Sequence, residues 1–311
     1  MPTCLRSRAP ALSLLVLLTA SAHVFDPAQA QSPASQIPPC EQCAKWSIPQ
    51  DPVRIYGNTY YVGVHGLASI LITSPRGHVL IDGGLAQSAA KIAASVESLG
   101  FRMADVKLIL NTHVHYDHAG GIAELQRQSG AEVAASKPTA LVLTSGHSGP
   151  DDPQYGILPP IDKVAHVKVI KDGETLHVGP LALTAHFTPG HTPGGTSWTW
   201  QSCEGARCLN IVYADSLTAI SADNFRFSST RAYPNVQQDF TKSFATLSSL
   251  PCDILLTPHP DVSGLWERLA KRDNGGDANA LIDTTACKRY ADTARANYEK
   301  RLQQEAATAS R

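Results

Sequence analysis

Asn111-Thr112-His113-Val114-His115-Tyr116-Asp117-His118-Ala119-Gly120-Gly121 is the stretch that decides how this chain is read. An apolar, strand-like run, Val106 to Leu110, leads into it, and a helical pattern, Gly121 to Gln128, leads out. Between His113 and His118, four of six positions carry metal-ligating side chains. His113 and His115 are two residues apart, so an extended loop points both the same way. Asp117 and His118 follow where the chain turns toward the helix, and so address a second point close by. Imidazole and carboxylate are zinc ligands. Four of them in one loop exceed what a single catalytic zinc takes from it, so the pattern reads as two metals, ~3.5–4 Å apart in such sites.

Two further ligands are then required from elsewhere in the chain. His191 stands in Thr188-Pro189-Gly190-His191-Thr192-Pro193-Gly194-Gly195 and His259 in Thr257-Pro258-His259-Pro260, each after a strand-like run. Pro and Gly fix such loops, which suits a site whose ligands must be held before the metal arrives. His65, His78, His147, His166, His177 and His186 lack this setting and read as ordinary core or surface residues, while His23 belongs to the leading segment.

Working outward, strand patterns cover 53–56, 59–64, 68–73 and 78–81, separated by Gly and Pro. A helical register joins Ile92, Val96 and Leu99. A second round has strand patterns at 164–170, 175–178, 181–187, 196–200 and 209–213, then a helix carrying Val236, Phe240, Phe244 and Leu247 in register, and a last strand at 254–257. Residues 265–271 and the stretch from Asp283 read as helical, the latter with Tyr290, Ala294, Tyr298 and Leu302 as its buried stripe. Two similar rounds of strands and helices fit two sheets with helices outside.

The chain begins differently. Arg6 and Arg8 precede an apolar run from Ala11 to Thr19, too short to span a bilayer as a helix, and small-x-small sites follow at Ala20-Ser21-Ala22 and Ala28-Gln29-Ala30. This is the layout of a secretory signal peptide over residues 1–30, cleaved after Ala30, which places the mature protein in the periplasm without a membrane anchor. Residues 31–50, rich in Pro, Ser and Gln, read as a loose leading segment, and 51–311 as the domain. Export makes the six remaining cysteines disulfide candidates, with fifteen possible pairings. Cys203–Cys208 would close a small hairpin, and Cys252–Cys287 would staple the C-terminal helix to the body. Cys40-x-x-Cys43 reads as a structural disulfide rather than a redox or zinc pair, since no second such pair exists. A net charge of −1 gives no basic field to recruit nucleic acid.

His-x-His-x-Asp-His, followed by a His in Thr-Pro-Gly-His-Thr-Pro-Gly-Gly and a His in Thr-Pro-His-Pro, resembles the metallo-β-lactamase superfamily, from about Ile55 to the C-terminus. Tyr213-Ala214-Asp215-Ser216-Leu217-Thr218, Pro251-Cys252-Asp253 with Cys287, and Gly57-Asn58-Thr59 make it most similar to the subclass B3 enzymes. The resemblance implies an α+β fold, an αββα sandwich of two packed β-sheets with helices on both outer faces. It implies two Zn²⁺ per chain, the first held by His113, His115 and His191, the second by Asp117, His118 and His259. Subclass B1 and B2 relatives have a Cys ligand where Ser216 stands here. Ser216 and Thr218 match positions that contact the substrate carboxylate, and Gln154 is expected to line the cleft. Close relatives carry a Cys where His65 stands, paired with an N-terminal Cys; without it, Cys40 and Cys43 either pair with each other or leave one free.

The expected activity is hydrolysis of the β-lactam amide of penicillins, cephalosporins and carbapenems by a metal-bound hydroxide, which Asp117 also orients, with a small-molecule partner and a monomeric protein. The rival is another dizinc hydrolase of the fold, a lactonase or glyoxalase II-like thioesterase, if Asp215 bridges the metals; Asp215 is expected instead to stand behind the ligands or to be structural. A nuclease is disfavoured by charge and export, and a non-catalytic zinc-binding protein by a ligand set that leaves coordination positions open.

Overall fold

The computed structural model describes residues 1–3 and 40–309. The expected signal peptide, apart from its first three residues, and the cleavage point lie outside the described residues. Among the described residues, no helix is long and apolar enough to cross a membrane.

From Cys40, the segment read as loose instead forms a helical turn, α1 (Cys43–Trp46). A seven-stranded sheet follows: β1 (Val53–Tyr56), β2 (Thr59–Tyr61), β3 (Ile70–Ile72), β4 (His78–Ile81), β5 (Val106–Leu110), β6 (Glu132–Ala135) and β7 (Val167–Val169), neighbours in that order. Pairing is antiparallel from β1 to β4 and parallel from β4 to β7. Helices α2 (Ala89–Ser98), α3 (Tyr116–Ala119), α4 (Ile122–Ser129) and α5 (Lys137–Ser145) connect its parallel half. The second sheet has five strands, β8 (Thr175–Val178), β9 (Leu181–Phe187), β10 (Thr196–Glu204), β11 (Arg207–Tyr213) and β12 (Ile254–Leu256), in the order β12-β11-β10-β9-β8. Helix α6 (Val236–Ser249) precedes β12, and α7 (Leu265–Asp273) and α8 (Ala286–Ala309) close the chain.

The period-2 alternation of the strands explains the layering. Ile70, Ile72, Val79, Ile81, Leu108 and Leu110 face the second sheet and pack with Leu183, Trp198, Trp200, Ile211 and Tyr213. Their neighbours Leu71, Leu80 and Ile109 face the other way, onto Ile92, Val96, Ile122 and Leu125 of α2 and α4. On the far side, Val212 and Leu255 meet Phe240, Phe244 and Leu247 of α6 and Tyr298 of α8. Each fully buried Leu, Ile or Phe here stabilises by roughly 1.5–3 kcal/mol. The architecture is the expected αββα sandwich.

The structure joins Cys203 to Cys208 across the β10–β11 hairpin, Cys252 to Cys287 between the start of β12 and α8, and Cys40 to Cys43 at the head of α1. Cys252–Cys287 spans 35 residues, a loop worth ~3–4 kcal/mol in the chain-entropy picture.

Sequence reading missed β6 and α5. Ala134 and Ala135 have weak strand preference, and β6 is held by its neighbours on both sides. Pro138 looks like a breaker but stands in the first turn of α5, where its missing N–H costs nothing. The strand pattern at 164–170 shortens to β7, because His166 adopts a positive φ of 57° just before it.

Candidate metal centre

The His113–His118 loop leaves the buried end of β5 between the two sheets. Asp82, wholly buried after β4, fixes its start. Thr112 N–H and Asn111 Nδ2 donate to Asp82 Oδ1 at 2.7 and 2.9 Å, while Thr112 Oγ1 and Tyr213 Oη donate to Oδ2 at 2.8 and 2.9 Å. Trp198 Nε1 donates to the Asn111 carbonyl and Thr196 N–H to that of Thr112, which ties the loop to β10 as well. Beyond the ligands, Gly121 is needed for close approach: a β-carbon there would come 2.3 Å from the Gly83 carbonyl oxygen.

Five imidazoles and a carboxylate converge. Ring centroids of His113 lie 4.9, 4.4 and 4.8 Å from those of His115, His118 and His191, and His118 lies 4.8 Å from His259. Ligand atoms of His113, His115 and His191 all fall within 4.8 Å of one another, as do those of His113, Asp117 and His118. His259 completes the second group, its Nε2 3.2 Å from His118 Nε2 and 3.5 Å from Asp117 Oδ2. All six expected ligands are thus in one place. His65 stacks on Trp266, His78 meets Phe101 edge to face, and His186 bonds Thr199, so those three have the ordinary roles expected of them.

The backs of the rings are held. His191 Nδ1 donates to the Thr218 carbonyl at 2.8 Å; a carbonyl can only accept, so Nε2 is left bare toward the cluster. His115 Nε2 faces both oxygens of buried Asp152 at 3.2 Å, which turns Nδ1 inward. His113 Nδ1 meets Asp215 Oδ1 at 2.8 Å. Carboxylates and carbonyls behind ligating histidines set tautomer and orientation, and their loss typically costs about 10–100-fold in metal affinity or activity. Sequence reading assigned this role to neither Asp152 nor the Thr218 carbonyl. Asp215 was expected to stand behind the ligands or to be structural rather than to bridge the metals, and it lies behind His113. Gly195 lets Asp215 reach it, since a β-carbon there would stand 2.3 Å from Asp215 Oδ2.

The electrostatics fit a divalent cation. Burial, with His115 adding, pushes His191 down to about 3, and burial and His118 lower His113 well below the usual histidine range. Both are therefore neutral and lone-pair-bearing at neutral pH. Burial raises Asp117, but the adjacent His118 and His259 outweigh it and leave a carboxylate well below its usual range. Burial raises Asp215, and the nearby Asp82 charge adds to this. A cation beyond His113 opposes both effects. His118 and His259 turn Nε2 toward each other and toward Asp117 Oδ2, at 3.1 and 3.5 Å from that oxygen. Bare nitrogens converging on an ionised carboxylate form a donor set complete for a metal and unsatisfied without one.

The cluster floors a pocket of about 200 Å³, also lined by Gln154, Ser216 and Thr218 and by apolar Trp46, Leu158, Ile220 and Val262. Trp46 was missed from sequence, because it lies in the segment read as loose. Its ring stands 5.4 Å from that of His259, and the Cys40 sulfur contacts Tyr116 Oη at 3.1 Å.

The sequence pattern of the metallo-β-lactamase superfamily matches residues 62–205. Among solved structures, the Rm3 metallo-β-lactamase is 57% identical with a TM-score of 0.84, covering 86% of this chain and 99% of its own. MEM-A1, a subclass B3 metallo-β-lactamase from a soil metagenome library, is 52% identical with a TM-score of 0.83, covering 85% and 99%. Among curated proteins, a hydroxyacylglutathione hydrolase of Bradyrhizobium sp. (strain ORS 278) is 31% identical over 171 residues, which is 55% of this chain and 53% of the relative. A ribonuclease of Thermus thermophilus is 32% identical over 136 residues, 42% of this chain and 31% of the relative. The chain thus spans about half, or less, of the length of these curated relatives. From its fold, its histidine-rich divalent-metal site and its likeness to subclass B3 structures over nearly their whole length, the chain belongs to the metallo-β-lactamase superfamily and is a hydrolase of that family.

Proposed function

We propose that this enzyme opens the amide bond of β-lactam antibiotics using two zinc ions, the first held by His113, His115 and His191 and the second by Asp117, His118 and His259. The observation that carries the reading is the position of Asp215. It supports His113 from behind at 2.8 Å and does not stand between the two ligand groups as a bridge. Likeness to metallo-β-lactamases over 99% of their length supports the same reading. Two such cations supply an acidified water and Lewis acidity toward a carbonyl.

The protein's own groups do the rest. Asp117 accepts a hydrogen bond from the attacking water and orients it. Ser216, largely buried, and Thr218, exposed, offer hydroxyls at the pocket wall to a substrate carboxylate. Gln154 Nε2 lies 3.3 Å from His115 Nδ1 and offers an amide at the cleft. Trp46, Ile220 and Val262 give apolar surface to the substrate's side chains. We also propose that residues 1–30 direct export to the periplasm and that the mature protein is a monomer without a membrane anchor.

The second reading, a thioesterase, is favoured by the hydroxyacylglutathione hydrolase names among the relatives. A chromogenic cephalosporin and a glutathione thioester, each assayed before and after exhaustive chelation and zinc return, separate the two. Rapid cephalosporin opening that chelation abolishes and zinc restores is expected. Thioester hydrolysis alone would establish the second reading, and opening that survives metal removal would refute the metal mechanism. Ser216→Ala should raise KM about tenfold with little change in kcat, the loss of one charge-assisted hydrogen bond; an unchanged KM removes Ser216 from substrate binding.

A further inference from the structure

A larger cavity, about 620 Å³, lies beside the metal pocket between α8, the loop after β11 and the turn before α7. Leu217, Leu255, Ala286 and Ala294 give it apolar walls, and Arg268, Arg289 and Arg301 bring three guanidinium groups against one carboxylate, Asp283. Arg289 pairs with Asp283 at 2.6 Å and Arg301 with Glu305 at 2.9 Å. Arg268 instead donates to the Ala280 and Leu281 carbonyls. Its half-buried charge has no bonded carboxylate, and burial lowers its pKa. An apolar chamber with an under-compensated cation complements a ligand that is apolar at one end and anionic at the other.

The cavity shares a wall with the metal pocket: Thr218, Ile220, Val262 and Tyr290 line both. That wall holds the groups that orient two metal ligands. Tyr290 Oη donates to the Asp215 carbonyl at 2.8 Å and accepts from Leu217 N–H at 3.1 Å, and the Asp215 side chain holds His113. Thr218 presents the carbonyl that holds His191.

We propose that this chamber is a second ligand site, which takes a small amphipathic anion while substrate occupies the metal pocket, and that its occupation reaches His113 and His191 through Tyr290 and Thr218. The anionic group sits at Arg268 and the apolar body against α8. The ligand's effect on catalysis rests on the hydrolase reading above, whereas its binding does not.

The test titrates the full-length, metal-loaded enzyme with 8-anilinonaphthalene-1-sulfonate, follows its fluorescence, and repeats cephalosporin turnover over a range of probe and substrate concentrations. Saturable one-site binding is expected, with about tenfold weaker binding of the uncharged anilinonaphthalene. Thr293 and Asn297 also line the chamber and are exposed on α8, so Thr293→Trp and Asn297→Trp fill it without disturbing the core. Both should weaken probe binding about tenfold or more and leave probe-free turnover unchanged. Arg268→Gln should weaken the sulfonate probe selectively. The probe should change kcat as well as KM. Non-saturable fluorescence, binding indifferent to both tryptophans, or purely competitive inhibition with kcat unchanged would overturn the proposal. An enzyme that binds the probe as described but opens no β-lactam would refute the hydrolase reading and leave the site standing.

Discussion

His115→Ala is expected to lower kcat/KM for a β-lactam by roughly three orders of magnitude or more and to lose metal in the same step. One ring supplies three things here. Its Nδ1 faces the first ligand group, its Nε2–H donates to buried Asp152 at 3.2 Å, and its centroid packs 4.7 Å from that of His191. Alanine removes the ligand and takes the imidazole partner from a carboxylate that is 3% exposed, leaving it Gln154 N–H and the Ser148 side chain. The metal contributes several kcal/mol of charge stabilisation, and each ~1.4 kcal/mol is tenfold in rate. Metal content by emission spectroscopy and steady-state kinetics on the same sample check the result. A variant that keeps full metal and more than about a tenth of its rate would remove His115 from the ligand set.

Asp82→Ala should be the most damaging change away from the ligands, lowering stability by about 3–5 kcal/mol, as when one partner is taken from a buried charged network. Asp82 accepts four hydrogen bonds at 2.7–2.9 Å and is 0% exposed. Alanine leaves the donors of Asn111, Thr112 and Tyr213 facing an emptied space. It also loses a residue suited to the backbone here, since Asp82 has φ of +63°, a conformation that Asp and Asn tolerate better than Ala. Asp82→Asn keeps the backbone preference and one carbonyl acceptor, so it should lose less. Thermal unfolding of both variants tests this, with a fall of roughly 10 °C expected for alanine. A melting temperature unchanged in Asp82→Ala would show that the network does not anchor the loop.

The fold and the candidate ligands were legible for the same reason. Alternation in β3 to β5 and the helical registers of α2, α6 and α8 are local patterns, and so is His-x-His-x-Asp-His. His191 and His259 could be picked out because Pro and Gly frame them. Asp82 and Asp152 carry no such signal, and Asp215 could be picked out only by its place beside Ser216, not by its partner ring. Each acts on a ring or its loop through space, 102 residues away in the case of Asp215 and His113, and an isolated Asp in a sequence looks the same whether it faces water or an imidazole. Trp46 was hidden by its neighbours, because a Pro- and Ser-rich composition masks a short turn. The chamber beside the metal pocket is made by the loop after β11, the turn before α7 and one face of α8, and no stretch of sequence contains it. Legibility therefore followed sequence separation: what neighbours in the chain decide could be read, and what folding brings together could not.

The most direct test of the central claim is a crystal structure of the zinc-loaded protein with anomalous scattering measured on both sides of the zinc edge. Two peaks are expected, one within ~2.0–2.2 Å of ligand atoms from His113, His115 and His191, the other at the same range from Asp117, His118 and His259. A single peak, or peaks that leave either His191 or His259 uncoordinated, would contradict it.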